Sequence, residues 1–151
     1  MKLAEALILR ADRKKRIEQL RQRLLSNAKV QEGDNPAEDP TALLAEAERT
    51  IAEFADGIRR INRTNVATEL DPGVSLADAI VQRDTLKWRH ELYRQLAQAA
   101  VITQDRRTQS EVKFRGTVNV AELQRQADDF ASQHRDLDSR IQAANWQTEL
   151  D

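Results

Sequence analysis

The chain of 151 residues contains no cysteine, which excludes a disulfide framework and a thiolate zinc centre. Glycine (4), proline (3) and aromatic residues (4%) are scarce, too scarce for a sandwich or barrel with its many turns. Neither sign of charge prevails, with 24 basic and 25 acidic side chains, so the molecule as a whole offers no attraction to nucleic acid. No stretch approaches the roughly 18 apolar residues of a membrane-spanning helix. The apolar start of the chain holds Glu5 and ends at Arg10, unlike the unbroken core of a secretory signal. These absences lead to the expectation of a cytoplasmic protein, one helical domain over 1–151, with no membrane or nucleic-acid partner.

What is abundant is helical periodicity. Leu3, Leu7, Ile17, Leu20, Leu24 and Ala28 recur at three- and four-residue steps and predict a helix over about Lys2 to Val30. Gly33 and Pro36 interrupt it. Asp39 and Pro40 suit the cap and first position of a second helix, predicted to run to about Ala67. Its seam of Leu44, Ala47, Ile51, Phe54, Ile58, Ile61 and Asn65 spans three heptads. After a break at Asp71-Pro72-Gly73-Val74, Ser75 with Asp78 resembles a capping box. A third helix is expected to about Arg107, with a broad apolar side made of Ile80, Val81, Trp88, Leu92, Tyr93, Leu96 and Ala99. Asn119 and Glu122 open a fourth, ending near Asn145, with Leu123, Ala127, Phe130, His134, Leu137, Ile141 and Ala144 in its seam. Between the last two helices, Val112, Phe114, Gly116 and Val118 alternate with charged or polar residues, the period of a short strand or hairpin. The expected class is all-α: four long antiparallel helices in two αα-hairpins, with one short β element near 110–118.

The two halves resemble each other, as 1–70 and 76–151. Residues 3–28 align without gaps on 76–101 with 9 identities, among them Leu3/Leu76, Arg10/Arg83, Lys14/Lys87 and Arg21/Arg94. Asn65-x-x-Thr-Glu-Leu recurs at Asn145, offset by 80 rather than 73. Duplication explains this; so does chance likeness between amphipathic helices. Charge supports antiparallel hairpins. Residues 1–31 carry 9 basic and 3 acidic groups, and residues 32–57 carry 1 basic and 8 acidic. Arg13-Lys14-Lys15-Arg16 then reads as a solvated helix face opposite an acidic partner, against the alternative of a phosphate or membrane contact.

Chemistry-bearing patterns are few. There is no Gly-rich phosphate loop, nucleophile elbow or His-Glu-x-x-His. A carboxylate-bridged metal bundle needs Glu-x-x-His, but position 87 is Lys and position 131 is Ala, three before His90 and His134. His134 is expected in the core. No catalytic, cofactor-binding or metal-binding residue is assigned. Asn65, Asn145 and Trp146 are polar helix-end candidates, either closing their helices in left-handed geometry or framing a ligand site. Val112, Phe114 and Val118 are self-association candidates, because an isolated strand edge needs a partner. The bland alternative is a loop folded over its own helix ends.

Met1-Lys2-Leu3-Ala4-Glu5-Ala6-Leu7 with Arg10-Ala11-Asp12, the block Arg60-Ile61-Asn62-Arg63-Thr64-Asn65, Ser110-Glu111-Val112-Lys113-Phe114 and Asn145-Trp146-Gln147-Thr148-Glu149-Leu150 resemble a bacterial family of about this length. Some of its members are labelled septicolysin-like or pore-forming cytolysins. The resemblance covers essentially the whole chain and implies a pore-forming activity, but no site residues. The residues themselves contain no long amphipathic strand pair suited to a membrane barrel. The reading they support is a non-enzymatic helical interaction or scaffold protein that self-associates as a homo-oligomer. The alternatives are the cytolysin that the resemblance implies and a small-ligand-binding helical bundle.

Overall fold

The computed structural model describes residues 1–102 and 112–151. These form four helices, α1 (Leu3–Ser26), α2 (Pro40–Ala67), α3 (Leu76–Ala99) and α4 (Val120–Gln147), and two short strands, β1 (Glu69–Asp71) and β2 (Val74–Ser75). The class is the expected one: all-α with a small antiparallel hairpin.

Several boundaries follow directly from caps. Asp39 accepts from Thr41 N at 3.0 Å and Pro40 occupies the first turn, so α2 starts where the sequence places it. Asn119 Oδ1 accepts from Glu122 N at 3.1 Å at the head of α4. The first helix stops at Ser26 instead of Val30. Asn27 explains the difference: its Nδ2 donates to Arg23 O at 2.9 Å, and its Oδ1 accepts from Glu38 N at 3.1 Å, tying the helix end to the approach of α2.

The β element lies elsewhere than expected. Val112–Val118 contain no strand; Ser110 and Glu111 fall outside the described residues. The alternation there serves an irregular segment. The hairpin forms instead across the break at Pro72-Gly73, where Gly73 takes a φ of 75° that side chains resist. Glu69 pairs with Ser75 there, and Lys2 bridges Glu149 in the same antiparallel sense.

The chain divides into two compact units, Met1–Ser75 with Gln142–Asp151, and Leu76–Ile141. In the first unit α1 and α2 are antiparallel, with Arg13 on Glu53 at 3.4 Å, Arg16 Nε on Glu46 at 3.2 Å, and Arg23 on Glu38. Two members of the basic run thus face the acids of α2, as the charge pattern suggested. The hydrogen bond from Arg16 is the main reason that the Glu46 carboxyl sits below its ordinary pKa, and Arg23 does the same for Glu38. The core here is Leu20 with Leu43 and Ala47, joined by Leu24, while Leu3, Ile61 and Thr64 are buried further along. The heptad seam is therefore corrected: Leu43 and Thr64 are buried, whereas Leu44 and Ile51 are exposed. The covered row, 43, 47, 50, 54, 57, 61 and 64, keeps the heptad spacing and shares Ala47, Phe54 and Ile61 with the expected seam, but its alternate members lie one residue earlier, on the other flank of the shared line.

The ends of the chain belong to this unit. Leu3 N donates to Thr148 O at 2.9 Å, and Leu150 N to Met1 O at 2.8 Å. Lys2 Nζ lies 2.5 Å from Glu149. Asp151 N donates to Thr64 Oγ1 at 2.9 Å, and Arg60 Nε to Asp151 O at 2.7 Å.

In the second unit α3 and the adjoining part of α4 run antiparallel. Arg83 donates to Asp138 at 3.0 Å, His90 Nδ1 to Ala127 O at 2.8 Å, and Tyr93 meets Phe130 edge-on at 5.1 Å. Leu76, Ala79 and Ala97 are buried on the inner side of α3, and Ala127 and Ile141 on α4. The broad apolar side expected on α3 divides: Ile80 and Tyr93 are partly covered, whereas Val81, Trp88, Leu92 and Leu96 face solvent.

Candidate functional site

Two surfaces of the second unit invite attention. The first is a polar cleft of about 440 Å³ between α3 and α4, lined by Arg83, Asp84, Lys87, His90, Glu91, Ala131, His134, Arg135 and Asp138. Both histidines of the chain meet here. His134, expected in the core, is only half-buried, because its neighbours across the helix pair are charged. The carbonyl of Ala127 can only accept, so His90 donates to it from Nδ1. Arg83 is committed to Asp84 and Asp138. Three basic side chains face three acidic ones, so the formal charges of the lining balance. Among the described residues no three His, Asp or Glu groups converge on a metal-holding point.

The second surface is apolar. Val81, Trp88 and Leu92 follow one another at seven- and four-residue steps on the side of α3 opposite Ala79, His90 and Ala97. Trp88 is 70% exposed. Leu96 continues the row into a groove of about 420 Å³ shared with Ala99, Val101, Ile102, Phe114 and Val118. Phe114 is 81% exposed. The structure thus brings two of the three self-association candidates, Phe114 and Val118, beside the end of α3. Val112 is exposed but does not line that groove. The strand argument for these residues falls away with the missing strand; their exposure takes its place. The sequence marked these residues as one broad apolar side, but apolar spacing does not say which chain covers each part of it. A signal was present in the width of the stripe, which exceeds what one neighbour covers.

The helix-end candidates lie in the first unit. Asn145 is 4% exposed and lines a groove of about 320 Å³ with Ala4, Leu7, Ile8, Ala11, Gln142 and the exposed Trp146. Asn65 is half-buried in the last turn of α2 and is not part of that lining. Neither asparagine closes its helix in left-handed geometry: among the described residues only Gly33 and Gly73 have positive φ, and the helices continue to Ala67 and Gln147.

Among the described residues no helix is long and apolar enough to cross a membrane. No curated protein matches the chain. Among solved structures, the chain is similar to the crystal structure of a functionally unknown conserved protein from Corynebacterium diphtheriae. The two are 46% identical, the match covers 100% of this chain and 99% of that one, and the TM-score is 0.95. Neither this relative nor the matching family is described as a cytolysin, which corrects the septicolysin-like resemblance and the pore-forming activity it implied. The blocks that carried the resemblance are short and lie largely on amphipathic helices, where unrelated chains converge on similar residues. A family model described as "Family of unknown function (DUF6847)" matches residues 10–150, and the chain belongs to that family.

Proposed function

We propose that this is a non-enzymatic, cytoplasmic helical interaction protein that self-associates through the apolar outer surface of its second unit. One observation carries the reading: exposed apolar side chains on α3, Trp88, Leu92 and Leu96 at four-residue steps, lead into the groove containing Phe114. Exposed apolar patches of this kind mark interaction sites, and tryptophan is enriched where such sites concentrate their binding energy. A closed homo-oligomer is the commonest assembly that would cover it. The engagement of Arg83 by Asp84 and Asp138 in the cleft supports the non-enzymatic part, and the cysteine-free composition agrees with a reducing compartment.

Light scattering of the chain over a range of concentrations tests the reading. The expected result is a mass at least twice the 17.2 kDa of one chain. A double change, Phe114→Ser with Leu96→Ser, should lower the mass while the helical circular dichroism is kept. A parent chain that stays monomeric at about 100 µM overturns the proposal.

A further inference from the structure

We propose that α3 pairs with α3 of a second copy, parallel and in register, to form a short two-stranded coiled coil; the inference rests on the self-association reading above and gives it a geometry. The outer face of α3 can be written as a heptad seam. Val81, Trp88 and Gln95 take the d positions, and Thr85, Leu92 and Ala99 take the a positions. The seam spans Val81 to Ala99, about 27 Å of helix at 1.5 Å per residue. Val81, Trp88, Leu92, Gln95 and Ala99 are exposed and Thr85 is half-buried, so among the described residues nothing closes over the seam.

Charge decides the orientation. Asp84, Glu91 and Gln98 occupy the g flank, and Gln82, Arg89 and Leu96 the e flank. In a parallel pair each g residue meets the partner's e residue five positions later. Asp84 then meets the partner's Arg89, twice by symmetry, while Glu91 lies along the partner's Leu96. No like charges meet. In an antiparallel pair g meets g and e meets e. Placing Trp88 against the partner's Leu92 would then set Glu91 against Glu91 and Arg89 against Arg89. Like charges brought together in this way select against the arrangement. Both parallel partners are available at the surface. Asp84 is half exposed beside Arg83, and Arg89 is exposed, with its guanidinium 6.0 Å from the Phe130 ring centroid at the α4 side of the seam. Gln95 and Thr85 would meet their own counterparts, and such polar layers hold a coiled coil in register.

The absence of native cysteine makes the test direct. Single variants Val81→Cys, Thr85→Cys and Arg94→Cys are oxidised mildly and resolved without reductant. In the parallel pair, residues at a and d face their own counterparts at distances a disulfide can span. Val81→Cys and Thr85→Cys should therefore give covalent dimers, and Arg94→Cys, on the other side of α3, should not. In the antiparallel alternative position 81 meets 99. A mixture of Val81→Cys and Ala99→Cys would then cross-link while Val81→Cys alone would not, and this result overturns the proposal. A second measurement uses charge. Asp84→Arg should weaken the dimer roughly tenfold, and Asp84→Arg with Arg89→Asp should restore it, because positions five apart on one helix do not face each other. Failure of the double change to restore association, with helical content intact, also overturns it. An oligomeric parent that cross-links at neither 81 nor 85 removes the α3 seam and leaves self-association standing. A monomeric parent removes both.

Discussion

Adjacent leucines in α2 offer a sharp test of the packing. Leu43 is 5% exposed and packs with Leu20, Leu24 and Ala47, whereas Leu44 is 54% exposed. The heptad reading of the sequence puts Leu44 in the seam, so the two accounts predict opposite outcomes. Leu43→Ala removes three carbons from a closed cluster. At about 0.8 kcal/mol per buried methylene the transfer loss alone is about 2.4 kcal/mol, and the residual cavity adds to it, within the usual range of about 2–5 kcal/mol. Leu44→Ala should cost below about 1 kcal/mol, and alanine's higher helix propensity offsets part of that. In urea, with a slope of about 2 kcal/mol/M, a loss of about 3 kcal/mol lowers the midpoint by about 1.5 M. Helical circular dichroism follows the transition, and an unchanged slope shows that stability alone has moved. Should the two compact units melt separately, the shift belongs to the transition of the first. Equal shifts for the two variants, or a larger one for Leu44→Ala, would refute the assignment of the buried face.

Ile61, almost fully buried, should lose about 2–5 kcal/mol as Ile61→Ala, and the half-buried Ile58 a smaller amount, with Ile58→Asp worse than Ile58→Ala; urea midpoints rank the three. Asp39→Ala should cost about 1 kcal/mol by removing the α2 cap and should increase amide exchange over the first turn. Glu38, Glu46 and Glu149 have folded pKa values below their unfolded ones, held there first by hydrogen bonds from Arg23, Arg16 and Lys2. Their stabilisation is present above the unfolded value and is lost as pH falls through the folded one, so the melting temperature should drop below about pH 4. Glu46→Gln should flatten that acid limb, and an unaltered limb would exclude Glu46 from the linkage.

How much was legible depended on whether a signal was local. Asp39-Pro40 announced its helix because a cap and a donor-free first position act within one turn. The pairing of Arg16 with Glu46 was visible as charge segregation between consecutive segments. The hairpin at Glu69–Ser75 was hidden, because three residues on one side and two on the other are too few to show a period. Val112–Val118 showed the period without the strand, since alternation arises wherever apolar and charged residues mix and a partner edge decides the outcome. The polar cleft was illegible for another reason: His90 and His134 are 44 positions apart and meet only through the antiparallel packing of α3 on α4. The apolar residues of α3 were legible as one broad side, but not which of them stay exposed, because hydrophobic spacing records that a surface is to be covered, not what covers it.

The discontinuity of the first unit sets an order of events during synthesis. Its α1 and α2 leave the ribosome before the second unit, and Gln142–Asp151 only after the whole of it. Until they arrive, Leu3 N has no Thr148 O to bond, Met1 O has no Leu150 N, and the Thr64 hydroxyl lacks the amide of Asp151. The nascent α1–α2 hairpin must therefore wait, held by Leu20, Leu43 and the arginine–glutamate pairs, while the second unit folds from contiguous residues. The Lys2–Glu149 bridge and the bond from Leu150 N to Met1 O join residues from opposite ends of these 151 positions, so both carry a large loop-closure cost. Emergence of Gln142–Asp151, rather than helix formation, becomes the step that completes the first unit.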